Sequence, residues 1–272
     1  MTGGAVARVE PLAGGSLSDV LLVVGEDGRK FVAKQSPSAA GEAAMLDAIR
    51  DTGVPAPEVI GWRDNWLVIA YVENDGARGA AWSDVGACLA RLHRARGESY
   101  GWPADSAFGS VEICNRPAES WRDFWAERRL LCHAPHIPDD LAARVERVAG
   151  NLARWIPDAP PPALLHGDLW GGNILVRQGR LAALIDPACY YGDAEVDLAM
   201  LTLLGTPASA FWNSYGDLAA GWDERRAVYQ LWPALVHLRL FGEGYRPMVT
   251  RLLDRLDRAD SGRSSRSSPP DG

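Results

Sequence analysis

Three side chains past the middle of the chain have the types and spacing that metal-assisted phosphoryl transfer requires: Asp168, Asn173 and Asp186. The first two lie in Leu164–Asn173, LLHGDLWGGN, and the third ends the apolar run Leu184-Ile185 just before Pro187. Asp168, delivered at the end of an apolar run, can orient and deprotonate a hydroxyl. Asn173 and Asp186 offer the hard oxygen ligands that the Mg²⁺ accompanying ATP accepts. Taken singly, an HGD tripeptide is an ordinary turn and an Asp before Pro an ordinary turn initiator. The stretch is set apart by the joint pattern: strand, HGD, Asn five residues after the Asp, hairpin, apolar run, Asp-Pro.

Elements must hold these groups together. Ile174–Val176, a turn at 177–180 and Leu181–Ile185 read as a hairpin, and a hairpin returns Asp186 to the end from which Asn173 departs. The Asp-to-Asn spacing equals that of the protein-kinase catalytic loop. Upstream, Val6–Val9, Val20–Val24 and Phe31–Lys34 read as a small antiparallel sheet. The loop Gly14–Asp19 between the first two strands lets the backbone approach closely, so Gly15 and Ser16 are candidates to cradle phosphates. Period-two alternation puts Val32 and Lys34 on one face, with Val32 against an adenine and Lys34 on the phosphates. In the helix that follows, Glu42, Met45, Leu46 and Ile49 fall at i, i+3, i+4, i+7. Glu42 thus shares the inward stripe and needs a partner, for which Lys34 is the candidate.

That helix stops at Asp51-Thr52-Gly53, and Trp66–Val72 reads as a buried strand. By position alone, the backbone of Ala70, Tyr71 and Val72 would meet an adenine edge. The polar break at Glu73–Gly76 marks the boundary between an ATP-binding lobe, 1–73, and a mainly helical lobe, 74–260. Helices are expected over Trp82–Arg96, Trp121–Leu131, Leu141–Trp155, Glu195–Leu204, Asp223–Gly242 and Arg246–Arg258. Tyr190–Asp193 reads as a loop, and Ser/Arg/Pro-rich 261–272 as a disordered tail. Pro135 and the loop-like run to Pro138 leave Cys132, His133 and His136 no shared helical face, which argues against a metal site there.

Bulk properties narrow the classes. At 272 residues, 47% of them apolar, the chain can bury a substantial core. A formal net charge of −7 without a Lys/Arg cluster argues against nucleic acid or an anionic membrane as partner and tolerates an amine-bearing substrate. No run approaches a membrane span, and the N-terminus lacks a signal-peptide pattern. Four scattered cysteines disfavour a disulfide framework, so a soluble cytoplasmic protein is expected.

PALLHGDLWGGN at Pro162–Asn173, IDPACYYGDAEVDLAM at Ile185–Met200, YGWP at Tyr100–Pro103, WRDFWAERRL at Trp121–Leu130 and LFGEGYRP at Leu240–Pro247 together resemble the fructosamine-3-kinase (ketosamine kinase) family. That family is similar in fold to aminoglycoside phosphotransferases and choline kinases. The resemblance covers nearly the whole chain. It implies an α+β, two-lobed protein-kinase-like fold and ATP-dependent phosphorylation of a sugar hydroxyl of a ketosamine, free or protein-bound. By position it makes Asp168 the base, Asn173 and Asp186 the metal ligands, Lys34 and Glu42 the phosphate-anchoring pair and Ala70–Val72 the adenine hinge. The hinge has Ala70-Tyr71 where family members often carry an acidic residue, a change that backbone contacts should survive. Trp170 is either a wall for the acceptor or core filling. Asp193 or Glu195 either meets the acceptor's amine or is only a helix cap. Two other readings stand beside this one: another aminoglycoside- or choline-kinase-like phosphotransferase, and a nucleotide-binding pseudokinase scaffold. The presence of Lys34, Glu42, Asp168, Asn173 and Asp186 together disfavours the scaffold.

Overall fold

The structure is a computed structural model that describes residues 5–12, 19–36 and 38–264. The chain opens with β1 (Val6–Pro11), β2 (Val20–Gly25), β3 (Lys30–Gln35), α1 (Ala39–Asp51), β4 (Val59–Arg63), β5 (Trp66–Ala70) and α2 (Arg78–Leu92). Next come β6 (Ser106–Phe108), β7 (Val111–Ile113), α3 (Trp121–Trp125), α4 (Asp139–Gly150), β8 (Ala163–Leu165), β9 (Ile174–Arg177), β10 (Arg180–Leu184) and β11 (Tyr190–Gly192). The last elements are α5 (Glu195–Leu203), α6 (Ser209–Tyr215), α7 (Trp222–Phe241) and α8 (Arg246–Ser264). A β-sheet N-terminal region and a mainly helical C-terminal part give the expected α+β class. No helix among the described residues is long and apolar enough to cross a membrane.

The elements group into two compact units. One comprises the chain up to Gly97 with Ala163–Tyr191 and Leu204–Asp217; the other comprises Glu98–Pro162, Gly192–Leu203 and the chain from Leu218 on. In the first, an antiparallel sheet runs in the order β1-β2-β3-β5-β4. α1 covers it through Ala39, Ala43 and Leu46, which pack with Leu67 and Ile69 of β5 and with Val32, Ala56 and Val59. The period read at Glu42–Ile49 therefore does face the sheet. The β9–β10 hairpin turns at Gln178 and Gly179, with φ of 53° and 72°, the paired positive values of a tight two-residue hairpin turn. Asp75, in the linker before α2, holds this hairpin. Its N–H donates to the Val176 carbonyl at 2.9 Å, and its carboxylate accepts from the N–H groups of Gln178 at 2.8 Å and Ala77 at 3.0 Å.

The second unit is built on aromatic rings. Trp121, Phe124, Trp125 and Tyr229 are fully buried; Trp121 touches the other three rings, and Trp125 also touches Tyr229. Trp121 Nε1 donates to the Tyr229 hydroxyl at 3.0 Å, which donates to Asp193 Oδ2 at 2.7 Å. The single helix expected over Trp121–Leu131 is corrected here. α3 gives way to a π-helical turn at Ala126–Leu130 and a 3₁₀ segment at Leu131–His136. The wide turn delivers Arg129 to the interior, where its guanidinium lies 4.6 Å and 4.7 Å from the ring centroids of Phe124 and Trp232 and donates to Asn115 Oδ1 and the Cys114 carbonyl. A buried cation needs such partners, and regular helical spacing is given up to supply them.

Other differences are local. Tyr190–Gly192, expected as loop, is a short strand paired with β8, because a buried neighbouring edge satisfies its backbone. β4, β6, β7 and α6 have no clear signature in the sequence; each is short and held by a neighbour rather than by its own pattern. α8 continues to Ser264, four residues into the stretch expected to be disordered. Asp254 and Asp257 pair with Arg144, and Asp260 with Arg154, which anchors its last turns. Residues 265–272 lie outside the described residues.

His133 supplies a test of this packing. It is fully buried, and its Nδ1 accepts from Arg239 at 3.2 Å. Burial first, then the Arg239, Arg129 and His136 charges, push its pKa from 6.5 down to about 3. The unfolded chain therefore takes up a proton that the folded chain refuses between those values. The contribution is fully present above pH 6.5 and is lost on acidification, by up to about 5 kcal/mol. Urea denaturation of His133→Gln at pH 7 and pH 4.5 should show a smaller loss of stability on acidification than the unsubstituted chain.

Candidate active site

Lys34 sits at the centre of the site. Register pairs it with Val20 on one side and Leu67 on the other, so the sheet fixes its backbone. Its Nζ lies 2.8 Å from Glu42 Oε1 and 2.6 Å from Asp186 Oδ1. The contact with Glu42 is an ion pair; the one with Asp186 is also a well-directed hydrogen bond. Burial pulls the ammonium's pKa down, but the charges of Glu42 and Asp186 outweigh it and leave the value raised, so Lys34 is a cation. The kinase-type pair expected from the helix period is present, with Asp186 as its third member.

Asp186 occupies the left-handed region, φ 52°, directly before Pro187. An L-residue is disfavoured there, and such strain concentrates at functional sites. Neighbouring contacts impose it. The Ile185 N–H donates to the Asn173 carbonyl at 3.1 Å and the Ala188 N–H to the His166 carbonyl at 2.8 Å. Three residues after Asp186, the buried Cys189 N–H points at Met45 Sδ at 3.3 Å, which ties the helix that carries Glu42 to the loop that carries Asp186.

Asp168 and Asn173 are also together. Asn173 Nδ2 donates to the Asp168 carbonyl at 2.8 Å and to Asp168 Oδ2 at 3.1 Å. With its nitrogen so used, Asn173 presents Oδ1 as an acceptor without a partner among the described residues, and so does Asp186 Oδ2. A neutral amide oxygen and an exposed carboxylate oxygen are the donor set a magnesium ion accepts, so the residues fit that metal.

His166, which in the sequence only marks the spacing of the HGD-to-Asn stretch, is the connection between the two acidic groups. It is buried; the Asp168 N–H donates to its Nδ1 at 3.3 Å, so Nε2 carries the proton and donates to the Ile185 carbonyl at 2.9 Å. A neutral imidazole thereby links the backbone of Asp168 to the residue preceding Asp186. Gly167 between them has φ 82°, and a Cβ there would stand 2.0 Å from the Ala188 carbonyl oxygen, so only glycine fits. The signal was available as a His two residues before an Asp with a Gly between.

The remaining predicted residues divide. Ala70 ends β5; its N–H donates to Glu58 O at 2.8 Å, and that of Tyr71 to Lys30 O at 3.2 Å. Gly15 and Ser16 lie outside the described residues. Trp170 is 39% exposed, with its indole resting on Gly172, so it does not fill the core. Asp193 and Glu195 belong to the second unit, and their carboxylates are committed internally. Asp193 Oδ1 accepts from the Glu195 N–H at 3.0 Å, in addition to the Tyr229 bond on Oδ2. Glu195 forms a two-pronged pair with Arg225 at 2.6 Å and 2.7 Å. Burial raises the Glu195 pKa more than Arg225 lowers it. Asp193 thus caps the first turn of α5, whereas the Glu195 carboxylate caps no N–H and is held by Arg225.

The model of the fructosamine kinase family matches residues 2–259. The chain belongs to the fructosamine kinase family. Relatives provisionally named ketoamine kinases are 33% identical in Synechocystis sp., over 89% of this chain and 88% of the relative, and 38% identical in Thermus thermophilus, over 86% and 88%. A crystal structure of a Thermobifida fusca protein provisionally assigned as a fructosamine-3-kinase superposes with a TM-score of 0.87 at 32% identity, covering 95% and 96% of the two chains. A thermostable mutant of an aminoglycoside phosphotransferase shares the fold alone, with a TM-score of 0.67 at 19% identity and coverage of 94% and 96%. Membership in the family carries ATP-dependent transfer of a phosphoryl group to a sugar hydroxyl.

In this kinase the Trp170–Gly172 contact can be tested directly. A Cβ at Gly172 would stand 2.3 Å from indole Cη2, so Gly172→Ala must displace the ring. Gly172→Ala should lower kcat/KM about tenfold or more, and Gly172→Ala should add little in a Trp170→Ala background; a double-mutant cycle on kcat/KM reads the coupling.

Proposed function

We propose that the chain phosphorylates a hydroxyl of a ketosamine, fructosamine or ribulosamine in type, with ATP and Mg²⁺ as cofactors. The observation that carries this reading is the convergence of Glu42 and Asp186 on one buried ammonium, Lys34, with His166 coupling Asp168 to the same loop. Lys34 holds nucleotide phosphates and is itself held by Glu42. Asp168 orients the acceptor hydroxyl and takes its proton, and Asn173 fixes one carboxylate oxygen so that the other faces the acceptor. Asn173 Oδ1 and Asp186 hold the magnesium, which when bound neutralises charge on the phosphates. At the hinge, with the Ala70 and Tyr71 amides already donated, the adenine edge meets their carbonyls and Val72, while Val32 packs against the ring. Gly15 and Ser16 complete the phosphate cradle. Trp170 is the apolar wall against which the sugar packs. We also place the boundary of the ATP-binding lobe near residue 73, and the protein in the cytoplasm, where its four free thiols would stay reduced.

A panel of ADP-release assays over fructosamines, ribulosamines and aminoglycosides tests the reading. Turnover should be confined to the first two classes, and a preference for aminoglycosides would reject it. On the best acceptor, Asp168→Asn should lose about 10²- to 10⁴-fold in kcat with nucleotide affinity nearly intact. Near-normal turnover in that variant would remove Asp168 as the base.

The two metal ligands should not behave alike. Asp186→Ala removes the anionic ligand, so activity should vanish at every Mg²⁺ concentration. Asn173→Ala loses one neutral ligand, which added metal offsets, and also the bond that fixes Asp168, which metal does not restore. A magnesium titration at fixed ATP should therefore rescue Asn173→Ala in part. Full rescue, or identical curves for the two variants, would contradict these roles.

A further inference from the structure

Arg78 stands at the first residue of α2 and is exposed, yet its guanidinium is not loose. Nη1 donates to the Gly171 carbonyl at 2.6 Å, and the group lies over Gly171, with Cζ 3.6 Å and Nε and Nη2 each 3.8 Å from where a Cβ would stand. Gly171 and Gly172 are the two small residues of the loop between Asp168 and Asn173. Arg78 lies on the first and the Trp170 indole on the second. Among the described residues Arg78 has no carboxylate partner. This contrasts with Arg144, Arg225 and Arg246, whose guanidinium groups are all paired with acids. The Gly171 carbonyl takes Nη1 and fixes the plane, which leaves the Nε–Nη2 edge for another acceptor. That edge presents two parallel N–H groups, the geometry that a carboxylate fills with both oxygens.

We propose that Arg78 is the subsite for a carboxylate carried on the amine of the acceptor, so that a glycated amino acid with its carboxyl group unblocked is preferred over one blocked as an amide. The inference rests on the ketosamine reading above and names a substrate class for it. The sugar hydroxyl lies toward Asp168, the sugar against Trp170, and the carboxylate on the Nε–Nη2 edge. A peptide-bonded carboxyl has no second anionic oxygen and forfeits the paired contact.

The test compares N-(1-deoxyfructosyl)glycine with its carboxamide, by calorimetric binding to the full chain and by turnover with MgATP. The unsubstituted chain should bind the acid about tenfold more tightly than the amide, the range of a charge-assisted hydrogen-bonded pair at an exposed site. In Arg78→Gln that ratio should fall to about one. In Arg78→Lys, which keeps the charge without the fork, it should be intermediate. A ratio near one in the unsubstituted chain, or a ratio that survives in Arg78→Gln, overturns the proposal. So does an equal loss of both ligands in Arg78→Gln, which would make the residue a staple for the loop only. Binding reports Arg78 whether or not turnover occurs. A tenfold ratio abolished in Arg78→Gln, with no ADP released from these two compounds or from the ribulosamines of the panel above, would uphold the subsite and reject the ketosamine kinase reading.

Discussion

A buried ammonium between two carboxylates is the constraint on which the site depends. Lys34 is taken out of water by the sheet, and a desolvated cation is tolerable only if negative charge stands within contact distance. Glu42 supplies part of that charge from α1 and Asp186 the rest from the loop after β10. The sheet, the helix and the loop are therefore not independent choices. α1 must present Glu42 on its inward face, and the chain after β10 must bend sharply enough to bring Asp186 back. The left-handed backbone at Asp186 is the local cost of that bend, held in place by His166, Asn173 and Ala188.

The second dependence runs through His166. The ring accepts from one side of the site and donates to the other, so it must be neutral and in one tautomer to serve both. Asp168 and Asp186 come from segments separated by a whole hairpin, and the imidazole converts their separation in sequence into a fixed relation in space. Gly167 permits it, because any side chain there would strike Ala188. The HGD tripeptide is thus a mechanical unit: His for the link, Gly for the approach, Asp for the carboxylate.

Much of this was legible in the sequence. The Lys34–Glu42 pair followed from a strand's alternation and a helix's period, and the hairpin returning Asp186 toward Asn173 followed from two apolar runs and a turn. Those signals are local and repeat along the chain. The third partner of Lys34 was not legible, because an ion pair between residues 152 positions apart leaves no periodic trace. Nor was the interruption at Ala126–Leu130, where an otherwise helical pattern yields to the burial of Arg129. Asp193 and Glu195 were open to two readings, amine contact or cap, because the tertiary partners that draw both inward, Tyr229 and Arg225, leave no trace in the local pattern.

The clamp at Asp75 bears on how the protein can be altered. The turn at Gln178-Gly179 is two residues long, with Gln178 exposed and Gly179 half-buried, the kind of place where a tag or a fluorescent module is usually spliced in. Here one carboxylate grips both the linker into α2 and the Gln178 amide, and the strands on either side lead straight to Asn173 and Asp186. An insertion would lever on both ends of the site at once. Among the described residues the turn at Glu26–Gly28, between β2 and β3, has no comparable tether to the Asp168–Asp186 segment, and its Asp27–Arg29 pair is at the surface. Cargo belongs there.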